Sequence, residues 1–275
     1  MSSRSVNTRR PALSSAGRPR FVAATLAVLG AVAACSSAKT PTRVADVAAY
    51  STQYQSGTQG LVAAGVYAYF YDRFSDCTKG TAGGCSYFVC PAQRPNPPEA
   101  PAAGTLTFVG TRDALVLESP YLYDPPAVQR TQFGPGATLT LKGSGGADVP
   151  AFSATVLGGP SVKVTAPTID GVASVPIALG APLEVTWTPD KFGEVVLHAD
   201  EDTADQRIEV DCRFPAAAGK GSLVTTPFVA GSGQLDVRGE TLTQVDTGDW
   251  RITFRGFTNA LTPAGDRVRV AATFQ

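Results

Sequence analysis

The sequence predicts an all-β body folded as an antiparallel β-sandwich, divided near residue 168 into two packed β units. Three observations predict it. Helical periodicity is almost absent after residue 60, and short alternating stretches recur in its place. Gly and Pro, 28 and 21 in the whole chain, break those stretches at turn-like intervals. More than ten such stretches follow one another with no intervening helical pattern, which favours stacked antiparallel sheets over an α/β fold.

The first forty residues are a separate matter. Arg4, Arg9, Arg10, Arg18 and Arg20 open the chain without a single acidic residue, and fourteen apolar or small residues follow from Phe21 to Ala34, with Thr25 the one polar interruption. A spanning helix needs about twenty apolar residues, so this run is short for one. A basic start, a short apolar core and a small-residue end are the parts of a secretory signal. Val32-Ala33-Ala34-Cys35 resembles the lipobox of bacterial lipoproteins, which are cleaved just before the cysteine. That resemblance implies a diacylglycerol on the Cys35 thiol and an acylated (palmitate-type) amino terminus. One acyl chain anchors only marginally, at about 0.8 kcal/mol per buried CH₂, so stable attachment takes two or three. The competing reading is an ordinary secretory signal with a coincidental cysteine. Ser36 stands where enteric inner-membrane lipoproteins carry Asp, so the expected destination is the outer membrane, on its periplasmic or surface side. Residues 35–60 are poor in large apolar side chains and are expected to be a flexible tether.

Removing residues 1–34 leaves 241 residues with 18 basic and 23 acidic side chains, a net charge of about −5. This excludes nucleic acid, which wants a basic face, and electrostatic docking on anionic lipid. No second apolar run of spanning length follows, so the body is expected to be soluble. Four cysteines remain, Cys77, Cys85, Cys90 and Cys212. An even number in an exported chain favours two disulfides. The expected pairing is Cys77 with Cys85, closing a local loop, and Cys90 with Cys212, tying the two halves; the other two connectivities remain open. A zinc site would want CxxC-type spacing and histidines, whereas the spacings are eight, five and 122 and His198 is the one histidine.

The N-terminal β unit, residues 61–168, is expected to contain strands in GVYAYFYDRF, CSYFVC, GTLTFV, DALVLES and ATLTLKG. FGPGA, residues 133–137, is a Pro-Gly turn leading into the last of these. GGPSVKVTAPTIDG is the seam between the units. The C-terminal unit, residues 169–275, supplies LEVTWTP, GEVVLHA, QRIEVDC, GQLDVRG, ETLTQVD, DWRITFRG and DRVRVAATF. In LEVTWTP, Leu183, Val185 and Trp187 face one way and Glu184, Thr186 and Thr188 the other. Val245 and Trp250 flank DTGD, a hairpin turn in which Gly248 takes positive φ. Phe133, Phe152, Val156, Val185, Trp187, Val195, Ile208 and Ile252 are the predicted core.

Three stretches together resemble a set of uncharacterised lipoproteins of myxobacteria and related bacteria. They are CTKGTAGGCSYFVC followed by AGTLTF, then FGPGATLTLKGSGGADVPAFSATV, and VTWTP leading to IEVDCRFPAAAGKGSLV. The resemblance covers most of residues 61–260 and implies a secreted, lipid-anchored β-protein; it carries over no catalytic residue. The WTP stretch also resembles the tryptophan-bearing strand of fibronectin type III modules, one of the immunoglobulin-like sandwiches.

Chemistry is thinly marked. A Ser-His-Asp hydrolase needs a histidine, and His198 is the sole candidate, but no G-x-S-x-G elbow presents a serine. KGSGG and GKGS lack the P-loop spacing that cradles phosphate. The stretch HADEDTAD is the most suggestive polar cluster: Asp200, Asp202 and Asp205, with Glu201, could offer oxygens to Ca²⁺, although the spacing is not that of an EF-hand. The alternative is a solvated hairpin loop joining GEVVLHA to QRIEVDC. Tyr67, Tyr69 and Tyr71 share one strand face and would either stack on a saccharide or protein partner or pack under another layer. The function that follows is a lipid-anchored envelope protein acting by binding or structure, with no catalytic residue and no cofactor beyond possible calcium. The alternatives are an envelope or extracellular polysaccharide hydrolase, supported by a groove with two carboxylates of separated pKa, and a calcium-dependent adhesion module. The partners expected are a membrane through the lipid and an envelope protein or saccharide.

Overall fold

The computed structural model describes residues 40–56, 59–70, 75–92, 101–118, 122–123 and 131–275. Cys35 and the whole signal segment lie outside the described residues. In chain order the strands are β1 (Arg43–Ser56), β2 (Gln59–Tyr69), β3 (Thr78–Ala82), β4 (Cys85–Pro91), β5 (Leu106–Val109), β6 (Leu115–Leu117), β7 (Leu122–Tyr123), β8 (Thr138–Gly143) and β9 (Phe152–Leu157). They continue as β10 (Val164–Ala166), β11 (Ser174–Ile177), β12 (Leu183–Trp187), β13 (Glu194–Asp202), β14 (Gln206–Pro215), β15 (Lys220–Leu223), β16 (Gly231–Thr247), β17 (Trp250–Asn259) and β18 (Arg269–Phe274). One three-residue 3₁₀ turn, Ala216–Ala218, interrupts them.

The all-β sandwich is the fold that forms. Its frame is an eleven-stranded sheet with the order β3-β4-β14-β13-β16-β17-β1-β2-β7, to which β18 adds on β16 and β11 on β18. This is longer than the seven to nine strands of immunoglobulin-type sandwiches. Pairing is antiparallel except between β1 and β17 and between β11 and β18, which run parallel. GQLDVRG and ETLTQVD are one strand rather than two: β16 pairs with β18 through Gly231–Asp236 and with β17 through Arg238–Thr247.

Pleating sends alternate side chains to opposite faces, and one face of the long sheet is mostly apolar, with Ser51, Glu201 and Thr258 among its buried polar exceptions. Two smaller sheets cover it. The four-stranded sheet β6-β5-β8-β9 encloses a core of Val47, Leu106, Phe108, Leu141, Trp250 and Phe254. The three-stranded sheet β10-β12-β15 helps enclose a second core of Val185, Trp187, Leu197, Ile208, Leu223 and Phe274. Each core holds one tryptophan with its indole N–H satisfied, Trp187 donating to the Ala216 carbonyl and Trp250 to the Asp148 carbonyl, both at 2.9 Å. All eight predicted core residues are buried.

The expected organisation needs correction at two points. The long sheet takes strands from both sides of residue 168, the three-stranded covering sheet takes β10 from before it and β12 and β15 from after it, and residues 39–275 form one compact unit. The tether is the second point: most of its length, from Arg43, is β1, paired with β2 and β17. Its core-facing residues Ala45, Val47 and Ala49 are small, so the stretch looks unstructured by composition yet fits closely beneath a covering sheet.

The predicted disulfide pairing is also overturned. Cys77 bonds Cys90 and Cys85 bonds Cys212. Cys85 and Cys90 are five apart on one strand, so the pleat points them to opposite faces. Cys85 lies directly opposite Cys212 on β14, on the core side. The Gly83-Gly84 hairpin, with both glycines at positive φ, folds β3 back along β4 and brings Cys77 beside Cys90. The predicted turns do form: Gly248 sits at φ 55° between β16 and β17, and Gly136 at φ 72° before β8.

Candidate functional site

The other face of the long sheet is polar, and it encloses a recess of about 490 Å³. Its lining comes from β1, β2, β3, β4, β13, β14, β16 and β17. Laid flat, these eight consecutive strands would span about 34 Å at the usual strand spacing. A recess of this size can touch all eight only if the sheet curls around it, leaving the two cores on its convex side. Eight-stranded closed barrels have interiors of comparable width, filled by side chains or by one small ligand. Here the sheet stays open.

Glu240 is the centre of the charged network. It is fully buried on the polar face of β16, and three guanidinium groups converge on its carboxylate. Arg213 from β14 reaches Oε1 at 2.8 Å, Arg255 from β17 reaches the same oxygen at 2.5 Å, and Arg238 from β16 itself reaches Oε2 at 3.1 Å. Further carboxylates balance the cations: Arg255 also bonds Asp46 at 2.8 Å and Arg213 bonds Glu194 at 3.2 Å. Arg238 lies over the Phe257 ring at 5.5 Å. Burial pushes the Glu240 pKa up, but the three guanidiniums outweigh it and hold the value down at about 2.

Beside this network, His198 and Asp211 face each other across β13 and β14, with Nδ1 and Oδ1 2.9 Å apart. Burial disfavours the imidazolium, yet the hydrogen bond and charge of Asp211 prevail and raise the His198 pKa above its ordinary value. Burial likewise opposes ionisation of Asp211, and His198 and the nearby arginines reverse it, holding the carboxyl well below the usual range. His198 is the single histidine, so its ring resonance is unambiguous. An NMR titration is expected to place its pKa above 6.5, and lower in Asp211→Asn, since burial and the Arg238 charge are then opposed by Glu209 alone. Its contribution to stability has a definite sign. It is present below pH 6.5 and lost as pH rises through the folded-state value.

The arrangement limits the chemistry. Ser86 lies opposite Asp211 on β4, two strands from His198, so the carboxylate stands between hydroxyl and imidazole. A triad needs the imidazole in that middle position. Two-carboxylate glycoside hydrolysis needs one carboxylic acid with a raised pKa. Asp211 and Glu240 are instead both held ionised by cationic partners. Among the described residues, the carboxyl with a raised pKa, Glu201, belongs to the opposite face of β13, where burial raises it and the Val229 N–H donates to it.

The acidic hairpin is also accounted for. Residues 203–205 join β13 to β14, and Asp205 is exposed at the turn. Asp200 and Asp202 face the polar side, where Arg207 lies 3.0 Å and 3.7 Å from them. Among the described residues no group of three His, Cys, Asp or Glu side chains converges on a metal-sized site. Tyr67 and Tyr69 do share the polar face of β2, with ring centroids 5.2 Å apart, and Tyr67 lines the recess. Tyr71 lies outside the described residues.

The sequence reading missed the arginines and Glu240 altogether. In QRIEVDCRF, GQLDVRGE and RITFRG their alternation with apolar residues is that of an ordinary solvated strand face, and only register shows that they meet. The chain matches no known protein-family model and no curated protein, so the geometry of this recess has to carry the functional reading.

Proposed function

We propose that this chain is a lipid-anchored cell-envelope protein, tied by Cys35 to the outer membrane, whose curled sheet binds a polar ligand without transforming it. The single observation that carries the binding reading is the recess on the polar face, whose volume falls within the usual range for small-molecule sites. Support for a non-catalytic role comes from the pairing of its charges: Glu240 is held ionised by guanidiniums, and His198 is paired with Asp211. The two disulfides suit an oxidising compartment beyond the cytoplasm. A saccharide is the partner this surface suits best.

Two measurements test the reading. Cys35→Ala is expected to abolish incorporation of labelled palmitate and to release the body from the membrane fraction; retention in the membrane would refute the anchor. Glycans prepared from the envelope are expected to be retained on the immobilised protein without appearance of new reducing ends. Steady release of reducing ends would make it a hydrolase instead.

A further inference from the structure

We infer that this body works at the membrane surface, with the end that carries Arg43 and the β16–β17 turn facing the lipid headgroups. This rests on the Cys35 anchor proposed above and adds which surface of the body the bilayer meets. By composition the tether would run over residues 35–60, and about 25 extended steps would let the body stand about 90 Å from the lipid. β1 instead begins at Arg43, and Ala45, Val47, Ala48 and Ala49 are buried. The amides of Thr42 and Arg43 both donate to the Asp249 carbonyl, at 3.0 Å and 2.9 Å, and the Arg43 guanidinium lies 5.5 Å from the centre of the Trp250 ring. The chain is therefore fastened to the body from Thr42 onward. Seven residues, 36–42, separate Cys35 from Arg43. The eight steps between them reach about 29 Å at most when extended.

Strand direction decides what lies at each end. β17 runs parallel to β1, so Trp250 stands beside Arg43, and antiparallel pairing sets Thr247 of β16 opposite Trp250. The exposed residue Ala151 joins this near end, where its carbonyl accepts the Thr247 hydroxyl at 3.4 Å. β13 runs antiparallel to β16 and pairs Glu201 with Gly233, so the 203–205 turn lies at the other end. Thr247 and Gly233 are 14 residues apart, about 46 Å along an extended strand. Inverting the body would raise Arg43 by that length above the bilayer, and a reach of about 29 Å forbids it. Lying flat would need an attraction between a flank of the body and the lipid. The net charge of the mature chain, about −5, supplies none towards anionic headgroups. Val44, one residue beyond Arg43, is part of the recess wall, so a ligand of the recess is met close to the membrane.

The test places a fluorophore on a cysteine introduced by Ala151→Cys or, separately, by Ala204→Cys, both at exposed positions, in the full-length lipoprotein. The protein is reconstituted into vesicles of phosphatidylethanolamine and phosphatidylglycerol carrying a rhodamine-labelled headgroup, and energy transfer reports each distance to the lipid surface. The Ala151→Cys label is expected to lie nearer the headgroups by about 20 Å or more, a gap that the strand length allows. Inserting about twenty Gly and Ser residues after Ser37 adds about 70 Å of extended reach and is expected to shrink that gap to less than half. A full gap in the lengthened protein would overturn the short reach as its cause. Equal distances in the parent, or a nearer Ala204→Cys label, would overturn the orientation. The intact mass of the same sample separates the two readings. An acylated protein with equal distances refutes the orientation alone, whereas a protein without acyl chains refutes the anchor and the orientation with it. Should either labelled variant fail to fold, Pro150→Cys or Asp205→Cys, at the neighbouring exposed positions, takes its place.

Discussion

Replacing Glu240 by Gln is expected to destabilise the protein by about 3–5 kcal/mol, the range found when one member of a buried ion pair is removed. The substitution keeps the volume and takes away only the charge, so three guanidiniums are left converging on a neutral amide. Against a typical total stability of about 5–15 kcal/mol, such a loss is severe. Urea unfolding would show it as a lower midpoint at unchanged slope. A change below about 1 kcal/mol would mean that the network behaves as a set of exposed surface pairs, and the enclosed character of the recess would have to be abandoned. Acid should reproduce the effect in the parent protein. The Glu240 pKa is lowered from 4.5 to about 2, so its stabilisation is complete above pH 4.5 and is lost as pH falls towards 2. The linkage amounts to about 3 kcal/mol, which agrees with the mutational range. Adding Arg238→Met to Glu240→Gln should recover part of the loss, because one of the orphaned cations leaves with it.

The second large effect belongs to the buried disulfide. Cys85 and Cys212 are separated by 127 residues, and Cys77 and Cys90 by 13. Loop-closure entropy alone gives about 5 kcal/mol for the long bridge and about 3 kcal/mol for the short one. The long bridge also sits in the second core, where both cysteines are fully buried and truncation leaves a void. The pair of substitutions Cys85→Ala and Cys212→Ala is therefore expected to destabilise the body by at least 2 kcal/mol more than Cys77→Ala with Cys90→Ala. Paired denaturation curves measure the difference. Equal losses would show that the chain between the bridged positions is already restrained in the unfolded ensemble. Peptide mapping under non-reducing conditions checks the connectivity itself, and a Cys90–Cys212 fragment would contradict the structure.

Alternation of apolar and polar residues is a local property, and whatever depends on it could be read directly from the chain. It identified the sandwich, the Gly248 hairpin turn, the Gly136 turn and the eight core residues, among them Trp187 and Ile252. It could also show that Cys85 and Cys90 point to opposite faces of one strand. Register, partner choice and curvature are properties of distant segments in contact, and no local pattern encodes them. Only the fold decided that Cys212 meets Cys85, that the small residues of β1 fill a slot beside β17, and that the long sheet serves both cores. The site belongs to the same class. Glu194, Asp211, Arg213, Arg238, Glu240 and Arg255 look like solvated charges on separate strands, and lateral pairing of β14, β13, β16 and β17 with the curl of the sheet turns them into one enclosed network. Composition and spacing along the chain determined what this protein is built from and what the Cys35 segment is suited to do; the physical reason that the recess had to await the tertiary structure is that burial of charge depends on which strands become neighbours.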